Sequence, residues 1–153
     1  MSGDGGRAAV LAEMRRAHLA ELGARALYGW LARLGRDAEL RRLMEGLEDE
    51  EAQQVERLVV LMRALGERPR QTSRRRRVVS ALLAFSTPLF GARPVLRLCE
   101  EAEGTASRWY AHFAEHFRLT GAADAAATCH SLSQIKAHHA QALRAWVDNA
   151  PHR

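Results

Sequence analysis

The segment MRRAHLAELGARALYGW, residues 14–30, decides the fold because its apolar residues return every three or four positions, as on one face of an α-helix. Glu21 lies in the middle of that face, and His18 lies one turn before it. A buried carboxylate without a partner is neutralised or costs several kcal/mol. The segment therefore predicts an interior helix whose central glutamate has a specific partner.

The same pattern recurs along the chain. Three apolar stripes each contain a glutamate near their centre, and the fourth stripe contains histidine instead. The first stripe is Val10, Met14, Ala17, Glu21, Ala24, Tyr28 and Leu31; the second is Leu40, Leu43, Leu47, Glu51, Gln54, Leu58, Leu61 and Leu65; the third is Ala92, Leu96, Cys99, Glu103, Ala106, Tyr110, Phe113 and Phe117. The fourth is Leu132, Ile135, His139, Ala142 and Trp146, with His138 beside it.

Capping and helix-breaking residues divide the chain into four long helical segments. They run from about Arg7 to Leu34, from Asp37 to Gly66, from after Pro94 to Leu119, and from Ala122 to Asp148. Most of the links are short, which predicts antiparallel neighbours. The 153 residues therefore predict one all-α domain over 1–153, an antiparallel four-helix bundle over about 7–148 with a basic and apolar connector at 67–93.

Composition limits the classes of function. The net charge of +5 comes with 22 arginines and a single lysine, but only 6% of the residues are aromatic, which argues against a nucleic-acid partner. Cys99 and Cys129 both fall inside predicted helices and are expected to be buried reduced thiols of a cytoplasmic protein. The first residues, MSGDGG, predict no secretory signal, and no apolar run reaches the ~20 residues of a spanning helix.

Three glutamates at one level of a bundle repel one another and need positive charge. A divalent metal held by carboxylates and imidazole from facing helices is a known solution. Two alternatives remain: a glutamate on the flank of its stripe reaches water, or a histidine or arginine pairs with one buried carboxylate.

The residues His18-x-x-Glu21-x-Gly23-Ala24, followed by Tyr28, resemble the first ligand helix of the demethoxyubiquinone hydroxylase family. The resemblance continues without a gap through Glu51 and Arg68-Pro69 to Glu103 and Tyr110, and the pair His138-His139 is similar to the end of the fourth ligand helix. Members of this family are ferritin-like di-iron monooxygenases that hydroxylate the quinone ring in ubiquinone synthesis. The resemblance covers about residues 14–143.

The resemblance implies a ferritin-like fold, two irons and a set of ligands. Glu21 and Glu103 would be terminal ligands, Glu51 would bridge the two irons, and His138 would be a terminal imidazole, although the apolar stripe favours His139 in that role. Glu51 and Tyr110 would serve catalysis, and Tyr28, Tyr110 and Trp109 would line the cavity.

Four positions depart from the family pattern: Ala20, Gln54, Trp109 and Ile135 replace a glycine, a ligand histidine, a histidine and a bridging glutamate. Glu51, Glu103 and His138 would still hold one iron, as in a mononuclear iron site. The other iron, left with Glu21, a share of Glu51 and Gln54, would be weak or absent. Glu48, Glu50 or Glu100 could substitute as ligands.

The connector has six arginines within residues 68–77 and then an uncharged run from Val78 to Ala92, broken by Pro88. A helix of that run would be only ~22 Å long, too short to span a bilayer. Lying flat, it would bury its apolar side in lipid while the arginines meet anionic head groups. The alternative is an apolar connector packed over one end of the bundle. In the resembled family this connector meets the membrane, which favours residues 68–93 as a surface for the inner face of the cell membrane.

Two main functions follow. The first is an iron monooxygenase that hydroxylates a polyprenyl benzoquinone of the demethoxyubiquinone type. The second is a non-catalytic, ferritin-like module at the membrane surface that binds quinone, metal or a partner protein, because two ligand positions are Gln54 and Ile135. Iron storage is a weaker third function. Further copies of the chain in a homo-oligomer are another expected partner.

Overall fold

The computed structural model describes residues 3–149, which form five α-helices and no strand. These helices are α1 (Gly3–Leu34), α2 (Ala38–Ala64), α3 (Arg74–Phe90), α4 (Ala92–Leu119) and α5 (Ala123–Asn149). The predicted all-α class is confirmed for this part of the chain. Residues 1–2 and 150–153 of the predicted domain lie outside it.

The helix ends follow local signals in the sequence. Asp37 caps α2, since its carboxylate accepts a hydrogen bond from the Leu40 N–H at 2.8 Å. Gly66 and Gly121, with φ of 88° and 76°, end the turns after α2 and α4 in a conformation that favours glycine. The helix α4 begins at Ala92, earlier than predicted, because Pro94 fits the first helical turn, where its N–H would have no partner.

The connector helix α3 begins at Arg74, before the uncharged run that starts at Val78. The side chain of Ser73 accepts the Arg76 N–H at 3.4 Å, so the helix includes the arginine run 74–77. Pro88 lies inside α3 and cannot donate to the Ala84 carbonyl. The Thr87 hydroxyl donates to that carbonyl instead, at 2.7 Å.

Contacts between distant residues give the directions of the long helices. Arg15 pairs with Glu67, which follows α2, and the later Arg33 pairs with the earlier Glu48 of α2. In the same way Arg97 of α4 pairs with Asp148 of α5, and the later Ser107 pairs with the earlier Ser133. Tyr28–Glu103 and Tyr110–Glu21 join α1 to α4, and Glu51–Lys136 and Arg57–Ser131 join α2 to α5. Each of these four helix pairs is therefore antiparallel.

The connector α3 lies along α1 and runs in the same direction. Its Ser80 hydroxyl donates to the Gly23 carbonyl at 2.8 Å, and Phe85 contacts Trp30 with ring centroids 5.6 Å apart. A 17-residue helix is ~25 Å long, so α3 carries the chain back along the molecule before α4 begins.

The buried apolar side chains form two clusters. The first core cluster contains Val10, Met14, Ala17, Leu58, Leu61, Met62, Ala106, Tyr110, Phe113, Phe117, Ala125, Cys129 and Leu132. The second core cluster contains Leu27, Tyr28, Leu31, Ala32, Leu40, Met44, Leu47, Ala84, Val95, Leu96, Cys99, Leu143 and Val147. Both cysteines are buried free thiols, as predicted. Between the clusters along each long helix lies a set of buried polar side chains.

Across residues 3–149, each helix lacks either the length or the apolarity needed to cross a bilayer.

Candidate functional site: a buried lysine and carboxylate cluster

Glu21 of α1, Glu51 of α2 and Glu103 of α4 all lie inside the protein, and each is at most 2% exposed. They lie on separate helices and converge on one point, as the sequence predicted. None of the three reaches water on the flank of its helix, which removes the first alternative to a charged partner.

That point is occupied by the side chain of Lys136 from α5, the only lysine of the chain. Its Nζ atom contacts Glu21 Oε2, lies 2.5 Å from Glu51 Oε1 and lies 3.2 Å from Glu103 Oε2. An ammonium group has three N–H donors, so it can donate one to each of the three carboxyl groups. At 1% exposure, Lys136 is an interior cation and not a surface residue.

His139, fully buried, completes the cluster from the same face of α5, one turn after Lys136. Its Nδ1 lies 3.2 Å from Glu51 Oε1 and 3.6 Å from Glu103 Oε2, and its Nε2 lies 2.7 Å from Glu50 Oε2. The Nε2 atom therefore faces the protein surface, because its partner Glu50 has a half-exposed side chain.

The family resemblance implied that His138 is the interior imidazole, and this prediction is wrong because His138 is exposed. The apolar stripe favoured His139 instead, and His139 is buried. The interior face of α5 carries Leu132, Lys136, His139 and Leu143. Ile135 is half-buried beside that face. The family resemblance placed Ile135 and His138 on the interior face of α5. The residues that face inward follow each of them by one position, which is a rotation of about 100° around the helix.

Two tyrosines fix the outer carboxylates. The Tyr28 hydroxyl donates to Glu103 Oε1 at 2.5 Å, and the Tyr110 hydroxyl donates to Glu21 Oε1 at 2.8 Å. Burial, together with the nearby carboxylates, raises the pKa of both phenols, so both remain protonated donors. Their predicted places at the site agree with the structure, and the catalytic role of Tyr110 stays a prediction.

Gln54, predicted as a weak metal ligand, is buried one turn after Glu51. Neither polar atom of its amide has a hydrogen-bond partner within the described part of the chain, and the same is true of Glu51 Oε2. The substitute ligands Glu48 and Glu100 point elsewhere, since Glu48 lies 3.9 Å from Arg33 and Glu100 lies 2.6 Å from Arg144. Glu50 reaches only the outer nitrogen of His139.

The protonation states follow from burial and from the two cations. Burial raises the pKa of Glu21 to about 8, and Lys136 offsets only part of that effect. Burial would also raise the pKa of Glu51, but Lys136 and His139 lower it to about 2. Burial would lower the pKa of His139, but hydrogen bonds to Glu103, Glu51 and Glu50 raise it to about 10.

Burial acts against the charge on Lys136 as well, yet the three surrounding glutamates raise its pKa above the ordinary value. With its raised pKa the Glu21 carboxyl is largely protonated near neutral pH, whereas Glu51 stays a carboxylate beside the ammonium and the imidazolium. The cluster therefore supplies its own counter-charges through Lys136 and His139.

The residues present do not fit a pair of iron ions. Ligand atoms of Glu51, Glu103 and His139 lie within 4.8 Å of one another, which is the spacing of a metal site. However, the Lys136 ammonium contacts both of those glutamates, so a cation there would meet a like charge inside the protein. The second position would have Glu21, a share of Glu51 and the neutral amide of Gln54, and the Lys136 ammonium already contacts both of these glutamates.

A pocket of about 350 Å³ between α1 and α4 reaches the cluster from outside. Glu21, Glu103 and Lys136 line it together with small residues of both helices, among them Ala20 and Ala24. Trp109 also lines this pocket, as predicted, and is 40% exposed. A larger pocket of about 960 Å³ lies between the end of α2 and the start of α5, and none of the cluster residues lines it.

Sequence reasoning missed Lys136, the central residue of the cluster. One signal was available: a single lysine among 22 arginines stands three residues before the inward histidine, and therefore on the same helix face. Arginine carries the positive charge elsewhere in the chain, so the use of lysine at this one position has a local reason.

No protein-family model matches the chain, and searches of curated proteins and of solved structures found no match. The resemblance to demethoxyubiquinone hydroxylases therefore stays a prediction from the residues that carry it.

Proposed function

We propose that this protein is a ferritin-like helical module that attaches to an anionic membrane surface and binds a polyprenyl benzoquinone without iron-dependent oxygen chemistry. One observation carries the proposal: the ammonium of Lys136 occupies the point on which the three interior glutamates converge. This is the second of the two functions predicted from sequence, and Lys136 is a stronger reason for it than Gln54 and Ile135.

The directions of the helices support a ferritin-like bundle. Four long helices form antiparallel pairs around the cluster, and α3 joins α2 to α4, which run in the same direction. A long crossover between parallel helices is typical of ferritin-like folds.

The outer face of α3 supports the membrane surface as the partner. Val78, Leu82, Phe85 and Leu89 recur at intervals of four, three and four residues, and each is more than half exposed. The opposite face of α3 is buried on α1 through Ser80 and Ala84. The exposed arginine run 74–77 precedes the apolar row, and arginines beside an apolar face complement anionic head groups at the lipid boundary. The proposed location is the inner face of the cell membrane.

The pocket between α1 and α4 supports a quinone ring as the ligand. Its volume of about 350 Å³ is in the range of roughly 300–1,000 Å³ that small-molecule sites occupy. Leu98 and Trp109 provide apolar surface, and Lys136 provides a cation at the inner end.

Counting iron tests the absence of oxygen chemistry. The protein is reconstituted with ferrous iron under anaerobic conditions, desalted and analysed for bound metal, with Glu51→Ala as the control. We expect no more iron in the wild type than in Glu51→Ala. Two irons per chain would instead support the hydroxylase. One would support a modified oxygenase at Glu51, Glu103 and His139, whose spacing is the observation in favour of that second function.

Vesicle flotation tests the membrane surface separately. We expect binding to vesicles that contain an anionic phospholipid and little binding to neutral vesicles. Replacing Arg74 to Arg77 with serine should weaken the binding, because each basic residue near such a surface contributes about 1 kcal/mol. Equal binding by this variant and the wild type would show that the electrostatic part of the proposal is wrong.

The quinone is tested by calorimetry with a short-chain benzoquinone in detergent micelles. Ala20→Leu narrows the pocket wall and should abolish the binding heat, whereas His138→Ala, on an exposed surface of α5, should leave it unchanged. Equal heats for the wild type and Ala20→Leu would exclude this pocket as the site.

A further inference from the structure

We propose that Lys136 is a built-in replacement for a divalent cation, and that the side chains around it form a divalent-metal site as soon as its ammonium is removed. The inference rests on the proposed function in one respect, since it takes the wild-type cluster to be free of metal. It goes further by assigning Glu21, Glu51, Glu103 and His139 as the ligands of a metal site that the Lys136 ammonium occupies in the wild type.

The side chains around Lys136 already have the arrangement of a ligand set. The carboxyl groups of Glu21, Glu51 and Glu103 surround Lys136 Nζ, and the His139 imidazole lies beside Glu51 and Glu103, with which it has the spacing of a metal site. Lys136 Nζ lies 2.5 Å and 3.2 Å from its Glu51 and Glu103 partners, and metal–carboxylate bonds are about 2.0–2.2 Å long. The Glu51 and Glu103 oxygens would therefore need to move inward by at most about 1 Å to hold a metal at that point.

Two of the carboxylates are held in place from behind. Tyr28 and Tyr110 donate to the Glu103 and Glu21 oxygens that face away from Lys136, and Glu50 accepts from the outer nitrogen of His139. Such outer contacts orient the ligands of natural metal sites and tune their affinity. The orientation of these groups does not depend on Lys136 alone.

The charge of the cluster explains why the wild type needs no metal and why the variant needs one. The ammonium forms ion pairs with all three carboxyl groups, donates a hydrogen bond to Glu51, and repels a second cation. Without it, the buried carboxylates keep only His139 as a positive partner. Uncompensated buried charge is strongly unfavourable, and a divalent ion bound by carboxylates and imidazole would remove it.

The test uses the full chain with Lys136→Met, whose unbranched side chain lacks the charge and is shorter by one atom. Co²⁺ is the probe, because its visible absorption reports coordination. We expect no Co²⁺ bound by the wild type and one Co²⁺ per chain in Lys136→Met, with a new visible band and a higher unfolding temperature when Co²⁺ is present. The double variant Lys136→Met with Glu51→Gln should lose the band, and His138→Ala should behave as the wild type does.

Equal Co²⁺ binding by Lys136→Met and by the double variant would overturn the inference. If Lys136→Met does not fold alone, the inference predicts that it refolds when Co²⁺ is added, and failure to refold would also overturn it. Metal bound by the wild type would have a different meaning, because it would contradict the proposed function and show that Lys136 does not close the site.

Discussion

Among the individual residues, Lys136 has the largest electrostatic effect, because it is the cation for three buried carboxyl groups at once. A buried ion pair adds little stability compared with an apolar pair of the same size, since both charges lose their water. Removing one partner is different, because the remaining charge then stays buried without compensation. Lys136 is therefore important mainly because its removal would leave buried carboxylates without a compensating charge.

The first prediction concerns the stability of the metal-free protein. With a chelator present, Lys136→Met should lower the free energy of unfolding by about 3–5 kcal/mol, the usual cost of breaking a buried charge pair. The matched control is His138→Ala, two residues away on an exposed surface, which should change it by less than about 0.5 kcal/mol. Urea denaturation followed by circular dichroism measures both. Equal losses for the two variants would mean that the ammonium does not stabilise the cluster.

The second prediction concerns pH. The pKa of Glu21 rises from 4.5 to about 8 on folding, so its contribution to stability is complete below pH 4.5 and is lost as the pH rises through 8. The pKa of His139 rises from 6.5 to about 10, so its contribution is complete below pH 6.5 and is lost as the pH rises through 10. The pKa of Glu51 falls to about 2, so its contribution is complete above pH 4.5 and is lost in stronger acid.

The free energy of unfolding should therefore be highest near pH 4.5, should fall above it as Glu21 ionises, and should fall more steeply above pH 6.5, where His139 adds to the decline. Each group contributes at most about 1.4 kcal/mol per pH unit. The variant Glu21→Gln carries a neutral side chain at every pH. It should lose the part of the decline between pH 4.5 and 8 and keep the part that His139 contributes. Denaturation curves at matched ionic strength measure this, and an unchanged profile in Glu21→Gln would contradict the assignment.

The residue level also shows what the sequence could and could not predict about the site. Glu21, Glu51 and Glu103 could be found because each one interrupts an otherwise apolar stripe. Lys136 does not interrupt the predicted stripe of α5, since that stripe passed through Ile135 and His139. A lysine outside the predicted stripe is normally a solvated residue. Its place three residues before His139 was the one signal in the sequence, and the convergence of the other three helices shows that it points inward.

At the scale of elements, local sequence signals determine that α3 is a helix, and packing determines its orientation. The apolar run predicted a short connector helix, but packing determined which of its faces is buried. Ser80 and Ala84 face α1, where the Ser80 hydroxyl donates to the Gly23 carbonyl. Leu83 packs against the second core cluster, whereas Val78, Leu82, Phe85 and Leu89 are more than half exposed. The sequence alone could not separate these two faces, because α3 is apolar on both.

The third prediction separates the two faces of α3. Ala84 is fully buried, so Ala84→Leu should overpack the contact with α1 and lower the free energy of unfolding by about 1–3 kcal/mol. Leu82 is two-thirds exposed, so Leu82→Ser should leave that free energy unchanged within about 0.5 kcal/mol. Vesicle binding should show a loss for Leu82→Ser, because a buried leucine contributes about 1.5–3 kcal/mol. Undiminished vesicle binding by Leu82→Ser would remove the apolar row from the proposed membrane surface.

At the scale of the whole molecule, the polar cluster divides the core. The first core cluster packs on one side of it and the second core cluster on the other, and every long helix passes through both. The number and the approximate ends of these helices could be predicted from the stripes and the capping residues. The way in which they converge could not, because it depends on contacts such as Tyr28–Glu103 that are 75 residues apart in the chain.

The last prediction follows from this division. Because the same four helices build both core clusters, damage to either cluster should weaken the whole domain and not one end of it. Met14 in the first cluster and Met44 in the second are both fully buried, so each substitution by alanine should cost about 2–5 kcal/mol. They lie in separate clusters without shared partners, so the double variant should show the sum within about 0.5 kcal/mol.

Two probes with different locations test this cooperativity. Trp30 and Trp146 pack against the second core cluster, so in a Trp109→Phe background tryptophan fluorescence reports mainly that end, whereas circular dichroism reports all the helices. For Met14→Ala, the fluorescence and dichroism curves in urea should coincide at the same lowered midpoint. An early loss of helix with an unchanged fluorescence midpoint would show that the first cluster unfolds independently. The two core clusters would then be separate folding units on either side of the buried lysine cluster. The charged contacts of that cluster would be too weak to make the two halves unfold together.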